Sequence, residues 1–346
     1  MATVTPTSNY PSFASMANDA RLIQGILFDL GNEPDQYIAG KICSPVAFPT
    51  APRENELGID GRALHGRIAR RALFGAYGDP TRSGKVAFGQ RAVPIEGREM
   101  DPLSFETSKY FNSYSIPAEK MAEIEEWGVD AFVDIIEEPR TQVLIDREKD
   151  WATLFSTTGN WTTTASASKY WTAADSNPVA DINNLRKAMS KYGVVDTLIL
   201  GIDAAYLLMA NATFNGARPM DVDRAILTED QLVEILKSRF GFQNIFIGRA
   251  VAETSRKASA PNPVSIWGNT VWLGRIGDQL RGTSSGSVEA RRSAVVNVVS
   301  QELFADVIGP RINPENNDCY CSRVRMAESL TVAYPQLGAT LTGITA

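Results

Sequence analysis

Residues 171–182 read Trp171-Thr172-Ala173-Ala174-Asp175-Ser176-Asn177-Pro178-Val179-Ala180-Asp181-Ile182, and they organise the rest of the chain. A large aromatic opens a run of small and polar residues. Asn-Pro follows, and an acidic residue leads into Ile182, Leu185 and Met189 at helical spacing. Proline fixes a turn just where a helix is about to begin, and its missing N–H is no loss there. The spacing predicts a helix from Asp181 that ends at Gly193. Trp171 is too apolar for a free linker, so Trp171 and Pro178 are expected to pin the loop, the ring burying on the order of 150 to 250 Å².

Upstream lies a Ser/Thr-rich stretch, Ser156 to Ala174, that also carries Trp161 and Tyr170 and reads as a loop. Before it, Pro139 fits the first turn of an amphipathic helix of about five turns. Leu144, Trp151 and Phe155 recur on one face, with Arg140, Asp146, Arg147, Lys149 and Asp150 among them. The helix should lie on a sheet with its charged face outward. Downstream, Val194–Leu200 reads as a buried strand and Asp203–Phe214 as a helix. Thr228-Glu229-Asp230-Gln231 has the form of a capping box opening a helix with Leu232, Ile235, Leu236 and Phe240. Asn244–Val251 and Val264–Leu273 are β-branched and aromatic, hence strands. A helix-like stretch is expected from Gly286 to Ile308, then a turn at Gly309-Pro310 and a strand-rich end from Arg323 to Ile344. Strands alternating with helices predict a mixed α/β region.

Residues 1–115 differ. Beyond a candidate helix at Ser15–Leu30 they are rich in Pro, Gly and Arg, and read as an extended arm with apolar contacts, Phe48, Leu64, Ile68 and Phe74 among them. Positions 53–98 carry nine basic residues against five acidic ones, an excess of four, in a chain whose formal charge is −6. That asymmetry predicts attraction between the arm of one copy and the acidic surface of another, through Arg67, Arg70, Arg71, Arg82 and Lys85. Gly75, Gly78-Asp79-Pro80 and Ser83-Gly84 supply turn chemistry for the tip of a long hairpin.

Composition excludes several functions. The acidic total, 34 basic against 40 acidic side chains, argues against a dedicated DNA-reading protein. Cys43, Cys319 and Cys321 are too few for a disulfide framework or a four-cysteine zinc site, and fit a reducing cytoplasm. The first 20 residues lack the pattern of a signal peptide. Thr197–Phe214, the most apolar stretch, is interrupted by Asp203 and Asn211 and is too short for a membrane helix.

Catalytic motifs are weak. Gly282-Thr283-Ser284-Ser285-Gly286 matches the nucleophile elbow of α/β hydrolases, which would make Ser284 a nucleophile. That elbow needs a strand before the serine and a later histidine. Asp278-Gln279-Leu280-Arg281 does not read as a strand, and the single histidine, His65, lies upstream, so a flexible Ser/Gly loop is the better reading. One imidazole without a cysteine cluster or carboxylate pair makes no metal site. No cofactor motif and no catalytic set appears.

The Trp171–Ile182 segment resembles a hallmark of tailed-phage major capsid proteins. The likeness extends over Ile145–Phe155, including Glu148, over Lys191–Gly201 ("KYGVVDTLILG") and Asp203–Phe214, and more loosely over Tyr37–Val46, Phe105–Pro117 and Ile266–Val271. The resemblance implies an α+β fold of the Hong Kong 97 type. Its parts would be an N-terminal arm (1–50), an extended β-hairpin loop (51–115), a spine helix with a peripheral domain (116–193), an apical α/β domain (194–310) and a return to the peripheral domain (311–346). Trp151, Trp171 and Pro178 would be structural.

Function would then be self-assembly, as hexamers and pentamers of an icosahedral virion capsid enclosing double-stranded DNA without sequence-specific contact. The implied partners are a portal protein, a cement protein and, because only about 20 residues precede the arm, a separate scaffolding protein, with a scaffold-free shell as the alternative. Assembly would take place in the host cytoplasm. Some members of the family join a hairpin-loop lysine to an asparagine of another subunit by an isopeptide bond. Lys85 is the only lysine between Lys41 and Lys109, and Asn313, Asn316 and Asn317 cluster downstream, although a solvated lysine and turn asparagines explain both. Two competing readings are an encapsulin-like nanocompartment shell, which carries enzyme cargo, and a serine hydrolase using Ser284.

Overall fold

The computed structural model describes residues 36–43, 46–47, 65–71, 100–117, 131–215, 227–255, 260–276, 280–282, 288–290, 293–308 and 319–345, with single helical positions at 120, 123–124 and 126. The candidate helix at 15–30, Arg82, Lys85, Ser284 and the asparagines at 313, 316 and 317 lie outside the described residues.

In chain order the elements begin with α1 (Ala39–Ile42), β1 (Val46–Ala47), β2 (His65–Arg71), β3 (Met100–Glu106), β4 (Ser108–Pro117), α2 (Ala131–Ser156), β5 (Thr163–Ser166) and α3 (Pro178–Met189). There follow β6 (Thr197–Gly201), α4 (Ile202–Ala210), α5 (Ala212–Asn215), α6 (Glu229–Phe240), β7 (Asn244–Gly248), β8 (Val251–Glu253), β9 (Pro263–Ser265), β10 (Val271–Gly274), β11 (Leu280–Gly282), β12 (Val288–Ala290), β13 (Val295–Ile308), β14 (Cys319–Val332) and β15 (Gly338–Thr342).

Two sheets carry the two cores. One is four-stranded, in the order β1-β13-β14-β4, with α2 packed on β14 and β4. The other is five-stranded, β5-β15-β10-β6-β7, with α3, α4 and α6 beside it. A third sheet, β11-β12-β2-β3, pairs β2 with β3 antiparallel from His65↔Glu106 to Arg71↔Met100. Sheet membership does not follow chain order: β13, within 194–310, belongs to the sheet under α2, and β15 at the end of the chain sits between β5 and β10.

Several expectations are corrected. Residues 295–308 form the strand β13, not a helix, because Val295, Val296, Val298 and Val299 are β-branched and pair along β14. Pro139 lies inside α2, as its ninth residue, not in the first turn. The Ser156–Ala174 stretch contains a strand, β5, parallel to β15. Leu280–Gly282 before the Gly-x-Ser-x-Gly motif is also a strand, β11, contrary to its sequence reading.

Helix α3 begins at Pro178 with Asn177 as N-cap, its side chain accepting from Ala180 N at 3.0 Å, so it starts three residues earlier than Asp181. It ends at Met189, and a 3₁₀ turn carries the chain to Gly193, whose φ of 137° a side chain would resist. The expected 203–214 helix is broken at Asn211. Its Oδ1 accepts from the backbone N–H groups of Thr213 and Phe214 at 3.0 and 3.2 Å and so starts a second helix, α5. The Thr228 capping box forms as read, with Gly241 left-handed at the other end of α6. Among the described residues no helix is long and apolar enough to cross a membrane.

Candidate functional site

Two adjacent residues of α2, Arg147 and Glu148, lie on the buried side that also holds Leu144, Trp151 and Phe155. This overturns the expectation for Arg147, and Arg140 is buried as well, whereas Glu137, Glu138, Lys149 and Asp150 face outward. Buried charges persist only when paired and hydrogen-bonded, and these two find partners far away in sequence.

Arg147 makes a two-pronged contact with Glu328 of β14, Nε to Oε1 at 2.8 Å and Nη2 to Oε2 at 3.0 Å. Trp151 Nε1 donates to Glu328 Oε1 at 2.9 Å and Asn297 Nδ2 of β13 to Oε2 at 3.2 Å. The arginine also lies 5.6 Å from the Trp151 ring centroid. Four donors thus saturate one carboxylate that is 1% exposed. Among the described residues Glu148 pairs with no cation. Its Oε1 accepts from Ala39 N, and its Oε2 from Trp267 Nε1, each at 2.6 Å. Burial raises its pKa, while those donors and Arg147 pull the other way.

The two carboxylates stitch together four remote segments: the start of α1, helix α2, the turn before β10 and the β13–β14 pair. Around them pack Phe155, Trp161, Trp267 and Trp272, with Phe155 edge-on to Trp272 at 4.8 Å and roughly parallel to Trp161 at 6.0 Å. Gly274 and Gly338, opposite each other on β10 and β15, leave the room these rings need: a Cβ at Gly274 would strike Trp272, and one at Gly338 would strike Trp161. Cys43 is buried in the same core, and desolvation pushes its thiol up to about 11, so it behaves as an inert small hydrophobe.

Trp171 sits where expected, 2% exposed. Its Nε1 donates to Asp181 Oδ2 at 3.1 Å, its N–H to Ile344 O at 2.8 Å, and its carbonyl accepts from Asn211 Nδ2 at 3.2 Å. Pro178 is buried at the first position of α3, and Trp151 is 0% exposed.

No family model matches the chain, and no curated protein sequence matches it. Solved structures do. A phage-related protein from Bordetella bronchiseptica superposes with a TM-score of 0.59 over 92% of this chain and 95% of its own, at 16% identity. A virus-like particle from Pyrococcus furiosus gives 0.50 over 93% and 97%, at 14% identity, and a Mycobacterium phage Bobi structure 0.50 over 90% and 92%, at 9%. The chain shares its fold with these three structures.

Within this fold, three of the arginines singled out by charge fall on a strand. Arg67, Arg70 and Arg71 lie on β2, opposite Ser104, Asp101 and Met100 of β3. The described residues on either side of the Gly-x-Ser-x-Gly motif, β11 before it and β12 after it, pair antiparallel, whereas a hydrolase elbow has a helix after the serine. The topology does bring this hairpin beside β2, the strand that starts at His65, a proximity hidden by their separation in sequence. Among the described residues no cluster of three metal-ligating side chains occurs. Glu328 and Asn297 were missed by sequence reasoning. The available signal for Glu328 was a lone carboxylate inside the strand-like stretch Val324–Val332.

Proposed function

We propose that the chain is a major capsid protein that assembles into the icosahedral shell of a double-stranded DNA phage. The observation that carries this reading is the likeness to phage and virus-like-particle structures over nine-tenths of the chain. Two further features support it. The β2–β3 pair stands in its own sheet with β11 and β12, as an extended hairpin loop would, and the α1 segment is tied by Glu148 to the middle of a 26-residue helix, as an arm would be tied to a spine.

On this reading the Hong Kong 97-type parts run as arm 1–50, hairpin loop 51–115, spine and peripheral domain 116–193, apical domain 194–310 and return 311–346, with β13 contributed from the fourth part to the sheet under the spine. Copies associate as hexamers and pentamers. A portal and a separate scaffolding protein complete the particle, with a cement protein on its outside. Arg67, Arg70 and Arg71 serve intersubunit contact, since weak contacts multiply when a symmetric shell closes. Expression of the full chain followed by negative-stain microscopy is the test. Closed shells, tubes or ringed capsomers are expected, and nuclease-protected DNA in particles from infected cells identifies the cargo. A monodisperse monomer at all concentrations overturns the reading, and enzyme cargo in place of DNA moves it to a nanocompartment shell.

A further inference from the structure

The end of α3 and the segment that follows it line a shallow groove of about 500 Å³, with Arg186, Lys187, Ser190, Gly193, Val194 and Val195 around it, and the end of α6 lies beside Arg186. Arg186 and Lys187 belong to the last turn of α3 and Lys237 to the last turn of α6. The Arg186 guanidinium spans the two ends: a carbon added at Gly241, the cap of α6, would stand 3.9 Å from its Nη2. From β10 side, Arg275 reaches the same place, its Nη1 lying 3.7 Å from where a carbon at Gly193 would sit. Lys191 lies over Tyr192 next to it. Among the described residues Arg186, Lys187, Lys237 and Arg275 form no ion pair.

Cations in a last helical turn answer the helix dipole, which explains some of this cluster. Each C-terminus carries only about half a negative charge, so two of them leave most of five cations uncompensated. In a chain of net charge −6 such a surplus, set around an apolar floor with Val194 68% exposed, calls for an anionic partner.

The opposite end of α6 supplies one. Its first turn holds Glu229 and Asp230, and Glu234 follows a turn later. Glu229 is held by Arg249, whereas Asp230 and Glu234 are exposed and unpaired among the described residues. Twelve helical residues separate the two ends by about 18 Å. A body that is acidic at one end of a surface helix and basic at the other is built for heterologous contact, the kind that closes into rings.

We propose that the Arg186/Lys187 groove receives the Asp230/Glu234 end of α6 from a second copy of this chain, so that copies join head to tail. The proposal rests on the shell reading and names one of its subunit contacts. Opposite charge steers the encounter, and reversing one side sets like charges together.

The test uses the full chain in three forms: R186E/K187E, D230K/E234K, and all four substitutions together. Sedimentation velocity and negative-stain microscopy read assembly, and circular dichroism melting confirms folding. Each double variant should lose closed assemblies by about tenfold or more, and the fourfold variant should regain most of the yield. If a reversed form melts early, R186Q/K187Q replaces it, and a shift of assembly to lower salt is then expected. Unchanged assembly in R186E/K187E overturns the proposal while leaving the shell reading intact. So does a folded fourfold variant that stays unassembled. A loss in R186E/K187E that nuclease treatment of the unmodified chain reproduces assigns the groove to nucleic-acid phosphate and also overturns it. Failure of the unmodified chain to assemble under any condition removes the shell reading itself.

Discussion

Beside the five-stranded sheet the buried side chains are almost all apolar: Ile182, Leu185, Leu198, Leu200, Leu208, Phe214, Leu232, Leu236 and Val271 meet there, and the buried polar groups Asp181 and Asn211 serve Trp171 and the start of α5. Under α2 the arrangement is different. There the core encloses Glu148 and Glu328, each hydrogen-bonded to partners more than 100 residues away. The first core gains its stability from area removed from water, which tolerates local rearrangement. The second depends on a few directional contacts whose loss strands a charge.

That contrast predicts where the fold breaks most easily. Glu328→Ala leaves Arg147 buried without its counter-charge and strips Trp151 and Asn297 of an acceptor, so a loss of about 5 kcal/mol is expected, the upper end for a broken buried pair. Replacing both partners, R147M/E328M, should recover a large part of that loss, because no charge is then left uncompensated. Urea denaturation of the unassembled subunit measures both. Equal losses in the single and double variants would show that packing, not charge, dominates this core.

Trp171→Ala tests the other core. Removing the ring opens a cavity and leaves Asp181 without its indole donor, and about 3 to 4 kcal/mol should be lost. An unchanged melting temperature would mean that the loop is held by its backbone bonds to Ile344 alone.

The two cores also differ in how far the sequence announced them. Near the five-stranded sheet, signals are local: the Asn177 cap, the Thr228 capping box and the stop at Gly241 lie within a few residues of what they control, and α3 and α6 emerged close to where they were placed. Asn211 escaped because a side chain that caps a new helix looks, in sequence, like a polar position on an old one. Under α2 the signals are long-range. Residues 295–308 mix Val with Ser, Gln and Glu in a pattern that suits a helix as well as a strand, and pairing with β14, with its two irregularities, decides the matter. Arg147 was read as solvent-facing since charge normally is, and only Glu328 explains its burial, as Ala39 and Trp267 explain that of Glu148. The third sheet joins residues 65–71 to 288–290, a pairing without local trace.

Glu148 gives the contrast a pH dependence. Its pKa is raised on folding from the ordinary 4.5, chiefly by burial. A carboxyl with a raised folded pKa contributes stability that is complete below 4.5 and is lost as pH rises through the folded value. Glu148→Gln removes that titration but keeps only one oxygen acceptor for Ala39 N and Trp267 Nε1, at a cost of about 1 to 3 kcal/mol in acid. The stability difference between the original chain and Glu148→Gln should therefore shrink as pH is raised from 4.5 towards neutrality. Urea midpoints across that range decide it, and a difference that grows with pH would mean the donors outweigh burial.

The smallest effect is expected at an exposed cap of the apolar core. The Thr228 hydroxyl accepts from Gln231 N at 3.4 Å and the Gln231 side chain accepts from Thr228 N at 3.2 Å, so the two residues satisfy each other's orphan donors. Thr228→Ala removes one acceptor on a surface where water replaces it, so about 1 kcal/mol should be lost, a fraction of the Glu328 effect. The hydrophobic face of α6, Leu232, Leu236 and Phe240, stays in place. Amide hydrogen exchange should accordingly speed up only in the first turn of α6, at Asp230–Leu232, with protection near Leu236 unchanged. Loss of protection along the whole helix would show that this core, too, hangs on a single directional contact, and would erase the difference between the two.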